Sequence, residues 1–256
     1  MCTLALYFRQ FENYPLVIAA NRDEHFSRAT AGPQIWPTNP RIAAGKDLVA
    51  GGTWLGVNAR GIAAGIVNRR VSIDAAASPR SRGLLCLDML QAASMADAQA
   101  ALPYEDAGRY QAFLLLVACA EGVFAAYNAA DIERVNLPSG LHVFGNTSFT
   151  GEDGKKLDRA RELFHKAGES LATLLEQPEG VDAAVGVLRG VLGDHTPIET
   201  ADAKGALCVH TPDADYGTVS SSIIFYSKID HRFNFYHAPG PPCRTDFQLA
   251  ASLETS

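Results

Sequence analysis

A chain of 256 residues, 47% hydrophobic and 20% charged, is long enough to bury a substantial core and fits one large domain or two small ones. Its 28 acidic and 22 basic residues give a net charge of -6, with no Lys or Arg run long enough to track a polyanion, so nucleic acid is set aside. No segment approaches the roughly 20 continuous apolar residues of a membrane helix; AFLLLVACA, at 112–120, is strand-length.

The chain opens MCTLALYF, a strand-like run. Its first charge, Arg9, follows the apolar stretch, the wrong order for a secretory signal. Five cysteines (Cys2, Cys86, Cys119, Cys208, Cys243) are odd in number, widely spaced and without a CxxC, so neither a disulfide framework nor a zinc site is expected. Together these features predict a cytoplasmic protein with no membrane span.

Asn13-Tyr14-Pro15 turns the chain into LVIAA, which runs straight into Asn21-Arg22-Asp23-Glu24. A loop from about Arg28 to Gly52 follows, then TWLGVN and GIAAGIV, joined by a tight hairpin at Ala59-Arg60-Gly61. From Ser81 the spacing of Leu84, Leu85, Leu87 and Leu90 predicts a helix, continued by helix formers from Ser94 to Leu102 and ended by Pro103. YQAFLLLVACA, GVFAAYN and LHVFGN read as strands, 154–175 and 181–192 as helices, and VSSSIIFYSKI with HRFNFYH as a closing hairpin.

Runs of strands separated by runs of helices predict an α+β fold with antiparallel sheets, because a parallel sheet would need strict βαβ alternation. No repeat or linker composition divides the chain, so one domain over 1–256 is expected, and a four-layer αββα sandwich accommodates the element count.

Cys2 on its own reads most simply as a small apolar core residue. A second reading needs Met1 removed: an N-terminal cysteine carries its own base, the α-amine, and its thiolate is a nucleophile. Polar residues at a strand end supply what that chemistry requires. Arg22 beside the thiol favours thiolate, and Asp23 can fix the amine. The strand-end amides Asn68 and Asn146 are candidate donors to a developing oxyanion.

MCTLALYF with AANRDEHFSR, GGTWLGVNARGIAAGIVNRR, SRGLL, the Asn146 segment and DYGTVSSS resembles the NRDE-motif family, also called the transport-and-Golgi-organisation protein 2 family. The layout is similar to the cysteine branch of the N-terminal-nucleophile hydrolase superfamily, which contains penicillin V acylases and bile salt hydrolases. The resemblance implies an αββα sandwich and a site of Cys2, Arg22, Asp23, Asn68 and Asn146. In three places the chain departs from the pattern: Arg22 and Asp23 are adjacent, Val219 stands where relatives carry Arg, and FGNTSFTGEDG lacks the Pro-Trp-Pro flavour often following that Asn.

Two functions follow. One is cysteine-dependent hydrolysis of a small acyl amide or acyl thioester through an acyl-enzyme at Cys2, requiring neither cofactor nor metal. The alternative, implied by the family's links to haem handling and to lipid or acyl-CoA metabolism, is a carrier that binds haem or acyl-CoA in the same pocket. There the 26–50 loop and Trp36 would form an apolar lip, and His25 is the candidate haem ligand. Trp54, Phe233 and Phe235 read as packing residues.

Overall fold

The structure, a computed structural model, describes residues 2–71, 76, 79–102, 107–146, 154–196, 205–211 and 214–256. Among the described residues, thirteen strands form two antiparallel sheets. The first contains β1 (Thr3–Phe8), β2 (Leu16–Glu24), β10 (Gly140–Phe144), β11 (Gly217–Ser227), β12 (Arg232–Ala238) and β13 (Gln248–Glu254), in the order β10-β1-β2-β11-β12-β13. The second is a meander of β3 (Thr30–Trp36), β4 (Ile42–Asp47), β5 (Leu55–Asn58), β6 (Ala63–Asn68), β7 (Phe113–Ala118), β8 (Val123–Asn128) and β9 (Ile132–Asn136).

Alternation along each strand builds three apolar layers from one sequence. In β1, Leu4, Leu6 and Phe8 meet Leu55, Val57, Val67 and Leu116 of the second sheet, while Ala5 and Tyr7 face the other way. There they pack on Phe164 and Leu171 of α3 (Lys155–Leu174) and on Leu188 of α4 (Gly180–Leu192). The outer face of the second sheet is covered by Leu85, Met89 and Leu90 of α1 (Arg82–Gln91) and Ala98 of α2 (Met95–Ala101). Central strands buried on both faces need unbroken apolar runs, which explains FLLLVA in β7. Each fully buried Leu, Ile or Phe contributes about 1.5–3 kcal/mol. The order of layers is therefore helix, sheet, sheet, helix: the expected αββα sandwich.

Three departures from the sequence expectations stand out. The 28–52 stretch is not a loop but the hairpin β3/β4; Pro33 lies where the β3–β4 register shifts between Ala31 and Gln34, so its missing N–H breaks no regular ladder. β9 was not expected, and its IERVN pattern is mostly exposed. β13 was not expected either; it edges the first sheet with an irregular register against β12. The Ala59-Arg60-Gly61 hairpin is as expected, with Oδ1 of Asn58 accepting from the N–H groups of Arg60 and Ile62, each at 2.9 Å. The helical stretch from Ser81 is two helices, and Ser94 caps the second by accepting from the Asp97 N–H. Pro103 and residues 147–153 lie outside the described residues, as does Met1. No helix among the described residues is long and apolar enough to cross a membrane.

Candidate active site

The polar run Asn21-Arg22-Asp23-Glu24 continues β2 rather than leaving it, and its first three residues are buried. Four polar residues survive there because strand parity separates them. Asn21 and Asp23 point to the helical layer, Arg22 and Glu24 to the space between the sheets. Asn21 is fully engaged: Nδ2 donates to the carbonyls of Leu192 and Leu207, and Oδ1 accepts from Ser221.

The antiparallel register pairs Thr3 with Asn21, so the next step brings Cys2 opposite Arg22. Both side chains lie on the inter-sheet side, where a cleft of about 270 Å³ opens. Its lining includes Cys2, Arg22, Glu24, Trp54, Asn68 and Arg82. The Cys2 thiol is half-buried, and Sγ lies 3.8 Å from the main-chain oxygen of Asp23. Burial pushes the Cys2 thiol up, and the nearby Arg22 charge works against that shift.

Arg22 is held by stacking rather than by a tight ion pair. Its guanidinium lies 4.5 Å from the Trp54 ring centroid, and Nη2 is 3.8 Å from Glu24. Burial lowers the Arg22 pKa from its ordinary value. Nη1 is buried and has no hydrogen-bond partner among the described residues. Trp54 thus forms part of the site, a role its sequence context did not signal.

Asp23 also lines the cleft, while its carboxylate turns to the opposite face. Its Oδ1 accepts from Thr218 Oγ1 at 2.7 Å, and Oδ2 lies 3.6 Å from Nζ of Lys156, in the first turn of α3. Burial lowers the Lys156 pKa while Asp23 works to raise it. Asp23 faces Thr218 and Arg22 faces Ser220, so Val219 between them is the extra residue of a β-bulge. Neither Thr218 nor Lys156 was singled out by the sequence. A buried carboxylate demands partners, which is the signal that would have directed a search for them.

The cleft floor is closed by α1. Gly52 and Gly83 meet backbone to backbone: a Cβ on Gly52 would stand 2.2 Å from the Gly83 carbonyl carbon, and the Thr53 N–H donates to Gly83 O at 3.0 Å. This contact joins the GGTW and SRGLL segments, and it brings Ser81 and Arg82 to the cleft wall. Arg82 Nη1 donates to Ala112 O, while Arg28 pairs with Asp47 and Arg80 with Asp88, each at 2.6 Å.

Of the two expected amides, Asn68 lines the cleft at the exposed end of β6. Asn146 is buried beside it: Nδ2 donates to the main-chain oxygen of Asn68, and its own carbonyl accepts from Arg70 N–H at 2.7 Å. His25 is exposed outside the cleft, with Nδ1 2.7 Å from Asp215 O. Trp36 is not in the cleft lining either; it packs on the outer core of the second sheet and donates Nε1–H to Ala44 O, so the expected apolar lip is not formed.

A family model described as Transport and Golgi organisation 2 matches residues 1–238. The chain is 28% identical over 244 residues to a Transport and Golgi organization protein 2 homolog of Bos taurus, covering 85% of this chain and 84% of that protein. Among solved structures it is similar to a penicillin V acylase from Agrobacterium tumefaciens, at TM-score 0.58 and 16% identity, covering 94% of this chain and 84% of the other. It is also similar to the N-acylethanolamine-hydrolyzing acid amidase ortholog of Caenorhabditis elegans, at TM-score 0.53 and 11% identity, over 87% and 92% of the two chains. A conjugated bile acid hydrolase from Clostridium perfringens matches at TM-score 0.51 and 10% identity, over 100% and 98%. At such identities the structural likeness shows a shared fold alone, the αββα sandwich.

Proposed function

The chain belongs to the Transport and Golgi organisation 2 family, and from that premise we propose that it is a cysteine-dependent acyl hydrolase acting on a small acyl amide or acyl thioester. One observation carries this reading. Cys2, immediately before β1, and Arg22 of the adjacent β2 line one cleft, together with Asn68. The structural neighbours, named as an acylase, an acid amidase and a hydrolase, support it.

In this scheme Met1 is removed and the freed amine of Cys2 takes the thiol proton. The thiolate attacks the acyl carbon, forming a C–S bond, and the oxygen's new charge is met by the Asn68 side-chain N–H. The C–N or C–S bond to the leaving group then breaks, and the leaving group departs with the proton held on the ammonium. Water repeats the sequence on the acyl-enzyme, releasing the acid and restoring the thiol. Burial holds the Cys2 thiol pKa up, and the Arg22 charge pulls in the opposite direction, toward thiolate. Asn146 holds the main chain from which Asn68 projects.

A carrier function would use the same cleft. Among the described residues the lining contains no histidine, and His25, the candidate haem ligand, lies outside it against Asp215, which leaves Cys2 as the lining residue able to ligate a haem iron. Acyl-CoA, whose phosphates require cations, suits Arg22, Arg28, Arg80 and Arg82 better.

The test is intact mass of the purified chain before and after incubation with a fatty-acyl N-acetylcysteamine thioester. Loss of Met1 and an acyl adduct absent from Cys2→Ala support hydrolysis. Retained Met1, or an unmodified Cys2 alongside unhydrolysed thioester, overturns it; saturable binding of acyl-CoA by such a protein would select the carrier.

A further inference from the structure

Beyond the cleft, on the helical side of the first sheet, four residues from three separate segments converge. His195 follows α4, Cys208 and His210 lie in the stretch leading to β11, and Cys243 lies in the turn after β12. Sγ of Cys208 is 3.7 Å from Sγ of Cys243. Nε2 of His210 lies 3.4 Å from the first sulfur and 3.3 Å from the second. The His195 ring stacks on His210 with centroids 5.3 Å apart, and ligand atoms of His195, His210 and Cys243 all lie within 4.8 Å of one another.

We propose that His195, Cys208, His210 and Cys243 form a tetrahedral Cys2His2 site for a zinc-type divalent ion. Zn–S bonds of about 2.3 Å and Zn–N bonds of about 2.0–2.1 Å at tetrahedral angles require an S···S edge of about 3.8 Å and S···N edges of about 3.6 Å. Of the six edges of such a tetrahedron, the three among Cys208, His210 and Cys243 agree with these values to within about 0.3 Å, and the two from His195 to His210 and Cys243 are within 4.8 Å. Two thiols packed only as small apolar groups have no reason to aim both sulfurs at one imidazole nitrogen. The soft thiolates and the tetrahedral set select zinc over calcium or magnesium, which require oxygen ligands.

Burial is graded in the sense an ion needs for entry. Cys208 is fully buried, His210 and Cys243 are half-buried, and His195 is exposed. The Cys208 N–H donates to Asp194 O at 2.9 Å, so the two ligand segments are already joined through the main chain. A disulfide between Cys208 and Cys243 would require the sulfurs to close from 3.7 Å to about 2.05 Å, and would leave the convergence of both histidines unexplained. Cysteine spacing along the chain predicts no such site, because Cys208 and Cys243 are brought together only by the sheet.

Four protein ligands close the coordination sphere, so the role is structural. Leu207 O accepts from Asn21, and the Val209 N–H donates to Thr218 Oγ1, which in turn donates to Asp23. An ion at Cys208 therefore pins the segment that backs the polar end of β2.

The experiment is metal analysis of the untagged full chain, purified without chelator, followed by replacement with cobalt. We expect about one zinc per chain and, with cobalt, tetrahedral d–d bands together with thiolate-to-cobalt charge transfer. Cys208→Ser, Cys243→Ser and His210→Ala should each cut occupancy at least about tenfold, while Cys2→Ala retains it. Occupancy no higher than in the Cys208→Ser/Cys243→Ser double variant, a cobalt spectrum without the thiolate band, or a native Cys208–Cys243 disulfide by mass would each overturn the site. The cobalt spectrum of the unmutated chain decides the question even if the variants fail to fold.

Discussion

The Arg22 guanidinium rests on the indole of Trp54 at 4.5 Å, and behind that indole stands Gly45 of β4, with no room for a side chain. A Cβ on Gly45 would approach Trp54 Cη2 to 2.7 Å and Cζ2 to 2.9 Å. Gly45→Ala must therefore push the platform on which Arg22 lies. We predict a loss of about 1–3 kcal/mol by urea denaturation and slower acylation of Cys2 by the thioester probe. Unchanged stability and rate would mean that Trp54 moves freely and does not position Arg22.

The Asp23 carboxylate is enclosed between Thr218 and Lys156, and a buried charge that loses its partner is costly. Asp23→Asn leaves the Lys156 ammonium in low dielectric, and Lys156→Met leaves the carboxylate there. Each change should cost about 3 kcal/mol. The double variant, which removes both charges, should cost less than the sum by about 1–3 kcal/mol. Costs that add to within about 0.5 kcal/mol would show that the two charges are not coupled.

His237 is a buried base on β12, opposite Ser222 of β11, with Nδ1 3.1 Å from Ser222 Oγ, and burial brings its pKa down to about 4. Between that value and the ordinary histidine pKa of about 6.5, the unfolded chain binds a proton that the folded chain does not. Stability from this group is therefore present above about pH 6.5 and is lost as pH falls toward 4, by on the order of 3 kcal/mol. Denaturation curves at pH 7 and pH 4.5 test this. His237→Gln should flatten the loss relative to the unmutated chain, and an equal slope in both would exclude His237 as its source.

The α+β class with antiparallel sheets was legible in the sequence because period and punctuation survive in it; the αββα order accommodates the strand and helix runs and is what the family resemblance implies. β3, β4, β9 and β13 were not legible, since a hairpin with a proline at its register shift, an exposed meander strand and an irregular edge strand carry weak patterns. Cys2, Arg22 and Asn68 could be marked as candidates from strand ends. The division of Arg22 from Asp23 across the two faces of β2 follows from strand parity once Asn21 to Glu24 are known to stay in the strand. Thr218, Lys156, Trp54 and the Cys208–Cys243 pair required the register between distant strands, which no local pattern encodes.

Asn68 and Asn146 separate direct from indirect roles at the oxyanion. Asn68 lines the cleft, whereas the Asn146 amide is spent on the Asn68 main-chain oxygen, and its own Oδ1 is buried without a partner among the described residues. If Asn68 supplies the N–H to the developing charge, Asn68→Ala should slow acylation of Cys2 by about 10²–10³-fold, with little change in probe affinity. Asn146→Ala frees the end of β6 without removing the donor. It should slow acylation by about tenfold and cost about 1 kcal/mol of stability, since one buried hydrogen bond is lost while an orphaned oxygen is also removed. The two rates are read from intact mass over time, and stability from urea denaturation. A loss at Asn146→Ala equal to or larger than that at Asn68→Ala, with stability unchanged, would transfer the donor role to Asn146 and require its side chain to turn into the cleft during the reaction.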